Sequence, residues 1–194
     1  MLAYISWHTP AGDTDTAAYE QALEHFHRSL AHRPPSGLRG SAVFRAAALP
    51  WTGAVEAAHV YEDWYLLDSW SSVGVLEEAA VAQGHTSAHH AVAALAGTST
   101  SSIYRLSEGG AHLALASVAV WVSRGRGHPS PTLGDLLGDG MDGESAGLWR
   151  RCLGLGPAPE HCLLAGEPSA GVSPARLPGG WESIVSEREV LWHG

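Results

Sequence analysis

Apolar and polar residues recur along the first third of the chain with two different periods. Residues 2–8 alternate and are rich in β-forming side chains, which predicts a strand. Apolar residues then recur at helical spacing over 19–30, after several helix-capping residues. The sequence Pro-Pro-Ser-Gly at 34–37 predicts the end of that helix.

The same pattern of alternation followed by helical spacing returns further along. Strands are predicted over 38–49 and 57–67. A helix is predicted over 68–80, resuming from 86 to 96 after a glycine, and a strand over 101–106. The predicted order of elements is β-α-β-β-α-β, which is the split ferredoxin-like unit.

The second half starts in the same way and then becomes irregular. Strands are predicted over 113–122, 162–165 and 181–192, and a glycine-interrupted helical pattern over 131–153. A loop-like stretch at 166–180 precedes the last strand. This order indicates a second ferredoxin-like unit that has been shortened.

These elements predict an α+β protein of two tandem ferredoxin-like βαββαβ halves, the second degenerate. The first unit spans 1–106 and the second 111–194. The turn residues Ser-Glu-Gly-Gly at 107–110 separate them.

One segment carries a resemblance to a known family. The stretch 61–70, Tyr-Glu-Asp-Trp-Tyr-Leu-Leu-Asp-Ser-Trp, the helix after it and the closing Ile-Tyr-Arg-Leu at 103–106 resemble the dimeric α/β-barrel superfamily. That group includes antibiotic-biosynthesis-type monooxygenases and EthD-like proteins. The resemblance implies a dimeric α/β-barrel type of arrangement, in which two four-stranded sheets surround a cavity and are closed by the tandem halves or by a homodimer. The superfamily includes cofactor-free oxygenases, haem enzymes, isomerases and proteins of no known activity, and no motif in this sequence selects among them.

Strand alternation supplies a candidate site, because successive side chains face opposite sides of a sheet. The apolar positions, including Val60 and Trp64, are expected to support the helices, and the polar ones to line the barrel. Glu62 then lies on the apolar face and needs either to extend its carboxylate to solvent or to pair with an arginine. The predicted catalytic residues are His59, Tyr61 and Asp63, and the predicted ligand-binding residues are His8, Arg45, Tyr65 and Arg105.

These residue types favour proton transfer on a bound ligand. Imidazole titrates near neutral pH, a carboxylate orients it, and arginine stabilises an anionic intermediate. The preferred hypothesis is a small-molecule-binding protein, for an aromatic or polyketide-like ligand. If it is an enzyme, it is expected to resemble a cofactor-independent monooxygenase or isomerase. A ligand cavity of at least ~300 Å³ is expected.

Two alternatives come from other classes of protein. In the first, the polar face is the interface of a non-catalytic homodimer. In the second, His85 and His89, four residues apart on a predicted helix, bind haem or a metal. A solvated helix surface is the favoured interpretation of these two residues. His25 and His27 diverge around another helix and are predicted to be exposed.

Two further motifs do not support a zinc site or a dinucleotide site, because their spacing or their sequence context does not match. Cys152, His161 and Cys162 match no standard zinc spacing, and buried thiols are favoured. The Gly-x-Gly-x-x-Gly pattern at 138–143 follows no predicted strand, and its two aspartates would repel a pyrophosphate. No metal or cofactor is predicted from either motif.

The amino-acid composition limits the partners and the chemistry that the protein is expected to have. The chain has 194 residues, a net charge of −9, eleven basic residues that are all arginine, and two cysteines. The negative charge argues against nucleic-acid or membrane-surface binding. The absence of lysine excludes Walker-A and Schiff-base chemistry. No apolar run reaches ~18 residues, and no leader pattern is present, so a cytoplasmic protein is expected.

Overall fold

The structure is a computed structural model that describes the chain in seven ranges, which are 1–53, 59–82, 84–125, 127–137, 146–154, 156–165 and 180–194. In these ranges the strands are β1 (Leu2–Pro10), β2 (Leu38–Ala46), β3 (Val60–Leu67), β4 (Ala96–Gly109), β5 (Val118–Arg124), β6 (Gly147–Gly154), β7 (His161–Ala165) and β8 (Trp181–His193). The α-helices there are α1 (Thr16–His32), α2 (Trp70–Val81), α3 (Thr86–Leu95) and α4 (Leu133–Leu136).

The strands close into one antiparallel barrel in the order β1-β3-β2-β8-β5-β7-β6-β4. Two pairings join the halves of the chain: β2 pairs with β8, and β4 pairs with β6. Each half therefore satisfies the sheet edges of the other, which would otherwise expose unpaired backbone groups. The barrel closes within a single chain, and the predicted homodimer is not needed to close it.

The predicted fold class is wrong. The chain is a closed eight-stranded antiparallel barrel over the described residues, rather than two ferredoxin-like α+β halves. Inter-half strand pairing makes one continuous sheet, and strand is the main component. In the described part of the second half the one α-helix is the four-residue α4. The descriptions α/β barrel and ferredoxin-like therefore do not apply.

The elements themselves follow the sequence pattern better in the first half than in the second. Helix α1 begins after Asp15, whose carboxylate accepts from the backbone N–H of Ala18, as a capping residue does. The helical pattern predicted over 131–153 is confirmed at Leu133–Leu136, which forms α4, and is wrong over Gly147–Gly154, which forms β6. Strand pairing with β4 and β7 overrides the local spacing of the leucines.

Large apolar side chains from both halves fill the barrel interior. Trp7 and Trp64 of the first half meet Trp121 and Trp149 of the second, and all four are fully buried. The rings of Trp7 and Trp121 contact at a centroid distance of 5.2 Å, and those of Trp64 and Trp149 at 5.7 Å. An eight-stranded barrel is just wide enough for side chains to fill it.

A buried ion pair also lies in this interior. Nη1 of Arg188 on β8 donates to Oε2 of Glu62 on β3 at 3.0 Å, and both side chains are fully buried. The indole N–H of Trp64 donates to the same oxygen, and the guanidinium carbon of Arg188 lies 4.0 Å from the ring centroid of Phe44. Glu62 thus has the arginine partner that its apolar strand face requires.

Helices α1, α2 and α3 cover the outer face of the first-half strands. Tyr65 and Leu67 of β3 point outward and contact α1 and α2 residues such as Leu30 and Leu76. None of the helices in the described ranges is both long and apolar enough to span a bilayer. The glycine-rich motif at 138–143 lies outside the described residues.

Candidate functional site

The two faces of the first-half strands are the reverse of those predicted. Val60 and Trp64 point into the barrel, whereas Tyr61 and Asp63 lie on the outside, beneath the helices. The expected polar barrel cavity is therefore wrong. The physical reason is that barrel closure places the large apolar side chains of both halves against one another, so the polar alternates face the helical layer.

A buried carboxylate is the centre of the polar cluster beneath the helices. Asp63 of β3 lies between two imidazoles: its Oδ2 is 3.2 Å from Nε2 of His8, and its Oδ1 is 3.4 Å from Nε2 of His27. These are ion-pair contacts rather than aligned hydrogen bonds. The hydroxyl of Tyr65 donates to Oδ2 at 3.1 Å. Burial opposes ionisation of Asp63, but His8 and His27 outweigh it and hold its pKa well below the usual range.

The opposite side of the His8 ring contacts a tyrosine. Nδ1 of His8 lies 2.7 Å from the hydroxyl of Tyr19 on α1. Burial first, and then the charge of Asp63, raise the pKa of Tyr19 above its usual value, so the phenol keeps its proton. Asp63 favours an N–H at Nε2 of His8, and a neutral ring then accepts the Tyr19 proton at Nδ1. We refer to Tyr19, His8 and Asp63 as the proton chain.

His27 is held in place by its own contacts. Its Nδ1 lies 2.9 Å from the hydroxyl of Ser41, and its ring stacks on Tyr65 at a centroid distance of 5.2 Å and an interplanar angle of 8°. The side chain is fully buried, so the predicted surface position is wrong. The sequence signal for the burial of His27 is that it directly follows Phe26 on α1, because the apolar face of α1 packs on the sheet.

A cavity of about 220 Å³ opens between the strands and the helices, next to the proton chain. Its strand wall alternates as a sheet face does, with every second residue of β1 and β3 contributing. The strand residues that line it are Tyr4, Ser6, His8, Asp63, Tyr65 and Ser99.

The helix wall is more apolar. On α3 the lining positions follow helical spacing, at His89, Val92, Ala93 and the adjoining Ala96, so one face of that helix borders the cavity. The other helix residues that line it are Tyr19, Phe26, Leu76, Glu77 and Ala80. None of the described lining residues is an arginine. Asp63 and the exposed Glu77 supply carboxylates, so the wall disfavours an anionic ligand.

The structure brings together some of the predicted site residues. His8, Asp63 and Tyr65 line the cavity. Tyr61 stacks on His8 at a centroid distance of 6.0 Å, but its hydroxyl donates to Glu20, away from the described cavity lining.

The other predicted residues lie elsewhere. Arg45 binds Glu20 at 2.8 Å and Glu189 at 2.5 Å, on the far side of Tyr61. His59 is exposed just before β3, and Arg105 is exposed on β4. Tyr19 and Glu77 were not predicted, His27 was predicted to be exposed, and His89 was considered only as a haem or metal ligand. Helix-to-strand contacts decide the position of all four.

The histidines considered for metal or haem differ in their surroundings. His85 is buried, and both ring nitrogens have partners, Nδ1 with the hydroxyl of Ser29 at 3.0 Å and Nε2 with the carbonyl of Arg33 at 3.2 Å. Its predicted solvent exposure is therefore wrong. His89 faces the cavity instead, so the two rings do not converge on one ion. Within the described ranges no group of three or more His, Cys, Asp or Glu residues is arranged to hold a metal.

The cysteine and histidine residues considered for zinc also separate in space. Cys162 is buried in the barrel interior, Cys152 is exposed, and neither forms a disulfide. His161 precedes Cys162 and therefore lies on the opposite face of β7.

No family model matches the chain, and no curated protein matches it. The resemblance of segment 61–70 to the dimeric α/β-barrel superfamily therefore stays a prediction.

Proposed function

We propose that the protein binds a small uncharged molecule in the cavity between helices and strands, and that the proton chain moves a proton to or from it. The observation that carries this proposal is the placement of Tyr19, His8 and ionised Asp63 in one line along the cavity wall. Such a line has the arrangement of a base oriented by a carboxylate and coupled to a hydroxyl.

The size of the cavity limits the ligand. An apolar cavity of ~150 Å³ accommodates benzene, and this cavity measures about 220 Å³. That volume is below the ~300 Å³ expected of a typical ligand pocket. A single-ring molecule fits, and a polyketide of several fused rings does not. We therefore narrow the proposed ligand to a one-ring, neutral compound.

The contacts of His8 define the chemistry of the proton chain. When His8 is neutral, Nδ1 accepts the Tyr19 proton and Nε2–H faces Asp63. When His8 is protonated, Nδ1–H donates to the Tyr19 oxygen, which frees the phenolic proton to be donated to a ligand. Asp63 stabilises the imidazolium that this step requires. Both isomerisation and cofactor-independent oxygenation of a neutral carbon acid need such a proton transfer, and no resident cofactor enters this proposal.

The proposal also covers the cellular compartment and the dimer alternative. We infer a cytoplasmic protein from two thiols that are not joined in a disulfide. The face proposed for a non-catalytic dimer is covered by α1, α2 and α3 of the same chain, so the ligand-binding function is favoured over that alternative.

A binding experiment tests the ligand class. Thermal unfolding of the protein is followed with acetophenone, phenol and cyclohexanone, and with benzoate as a charged control. A neutral one-ring ligand at ~100 times its dissociation constant adds ~2.7 kcal/mol of stability. We expect stabilisation by neutral compounds and little by benzoate.

Two matched variants locate the binding. Ala93→Phe fills the cavity wall and should abolish the ligand-induced shift, whereas Ala94→Phe, one residue along the same helix and absent from the lining, should keep it. A shift that survives Ala93→Phe, or equal stabilisation by benzoate, contradicts the proposal.

A further inference from the structure

Histidine 89 lies on the helix wall of the same cavity, across from the strands. It shares the cavity-lining face of α3 with Val92, Ala93 and the adjoining Ala96. Its ring packs against the edge of Phe26 at a centroid distance of 5.6 Å. This packing fixes the ring against α1 and limits the directions in which its nitrogens can point.

One nitrogen of this ring is buried without a partner. Nδ1 of His89 makes no hydrogen bond, whereas both nitrogens of His85, one turn earlier, are bonded. A buried polar atom without a partner is costly, so its retention next to a cavity favours a ligand as its partner. The neighbouring His90 is exposed and does not line the cavity.

We infer that His89 is a second proton-transferring group of this site, so that a bound ligand lies between a base on α3 and the proton chain on the strands. This inference rests on the proposed function and specifies its reaction. A base on the helix wall of the cavity and an acid on its strand wall can together move a proton from one position of a bound ligand to another. The reaction class is therefore isomerisation of a small neutral carbonyl compound, rather than oxygenation.

The step balances without an oxidant. A neutral nitrogen of His89 takes a proton from the carbon next to the carbonyl, and the C–H electron pair forms the enolate double bond. The Tyr19 hydroxyl keeps its proton and donates a hydrogen bond to the enolate oxygen. In a ligand with a C=C bond next to that carbon, His89 returns the proton to the far carbon of the dienolate, the C=C bond moves into conjugation and the carbonyl re-forms, so no atom is lost or gained.

The charge state of His89 supports this role. Burial, and next the neighbouring His90, lower the pKa of His89 below its usual value, against the opposing charge of Glu77. The ring is therefore neutral at pH 7 and able to accept a proton. Asp63 and His8 face the cavity from the strands, and Glu77 faces it from α2.

Hydrogen–deuterium exchange of a neutral ketone tests the inference. Phenylacetone is incubated in D₂O with the intact protein, and loss of its α-proton signal is followed by NMR. We expect catalysed exchange that falls at least ~10²-fold in His89→Gln, the usual contribution of a positioned base. His25→Gln, at an exposed position of α1 outside the cavity lining, is the matched control and should exchange like the wild type. Phenylacetone affinity, from chemical-shift titration, should be little changed in both variants.

Each outcome has a distinct consequence. Binding with exchange that is unchanged in His89→Gln, or binding with no catalysed exchange, overturns this inference and leaves the binding proposal standing. Failure of the wild-type protein to bind phenylacetone and every other neutral one-ring compound overturns both. Equal loss of exchange in His25→Gln shows that the loss is not specific to His89 and also overturns the inference.

Discussion

The rings of Trp7 and Trp121 meet inside the barrel edge to face, with centroids 5.2 Å apart and planes at 67°. Trp7 belongs to β1 and Trp121 to β5, so the contact joins the two halves of the chain. Burial of such rings is among the largest contributions to core stability. The two halves are therefore expected to unfold together.

A double-mutant cycle measures this coupling. Trp7→Leu and Trp121→Leu should each lower the free energy of unfolding by a few kcal/mol, approaching the ~3–5 kcal/mol typical of removing a buried tryptophan. The pair should show a coupling of roughly 0.5–1.5 kcal/mol in urea unfolding. Trp70→Leu, at an exposed position, is the control. Additive effects of the two buried changes would argue against direct contact.

The Glu62–Arg188 pair predicts an asymmetry between single and double substitution. Glu62→Gln or Arg188→Met alone leaves a buried charge without its partner, and should cost ~3–5 kcal/mol. The combined apolar variant Glu62→Leu with Arg188→Met removes both charges and should recover much of that loss. Denaturant unfolding at pH 7 checks this. Single variants as stable as the wild type would contradict the buried pairing.

Asp63 predicts loss of stability in acid. Its pKa is lowered in the fold by His8 and His27 in spite of burial. Its contribution is therefore complete above the unfolded pKa of ~3.9 and is lost as pH falls below that value toward the folded pKa. Asp63→Asn should remove that part of the acid slope and cost on the order of 3 kcal/mol at pH 7. Asp13→Asn, at an exposed carboxylate, should change neither. An unchanged slope in Asp63→Asn would contradict the ion pairing.

His161 predicts a second pH dependence in a different window. Burial is the main reason that its pKa falls from 6.5 to about 4, against the charge of Glu160. The folded ring stays neutral while the unfolded ring gains a proton, so stability decreases as pH falls from 6.5 to about 4. The slope should approach, without exceeding, ~1.4 kcal/mol per pH unit. His161→Leu should flatten this window, whereas the exposed His25→Leu should not. Stability profiles measured between pH 4 and 7 distinguish the two.

The local pattern of apolar and polar residues predicted the elements of the first half. It failed where long-range strand pairing decides the secondary structure. The apolar stripe of α1 and the alternation of β1 are properties of a few adjacent residues, so they can be recognised from the sequence. The leucines of 131–153 have helical spacing, yet Gly147–Gly154 pairs with β4 and β7 and becomes a strand. Long-range hydrogen bonds of this kind leave no periodic signal.

The sequence by itself determined which side chains share a strand face: Tyr61, Asp63 and Tyr65 on one side, and Glu62 and Trp64 on the other. It also indicated that Glu62 needs either solvent or an arginine partner. Only the tertiary structure decided which face is the interior, because alternation has period two on both sides of a sheet and does not distinguish them. Pairing of β2 with β8 and of β4 with β6 closes the barrel with the face that carries Trp64 inside. Asp63 therefore lies on the outer face, beneath the helices, where it contacts His8, His27 and Tyr65.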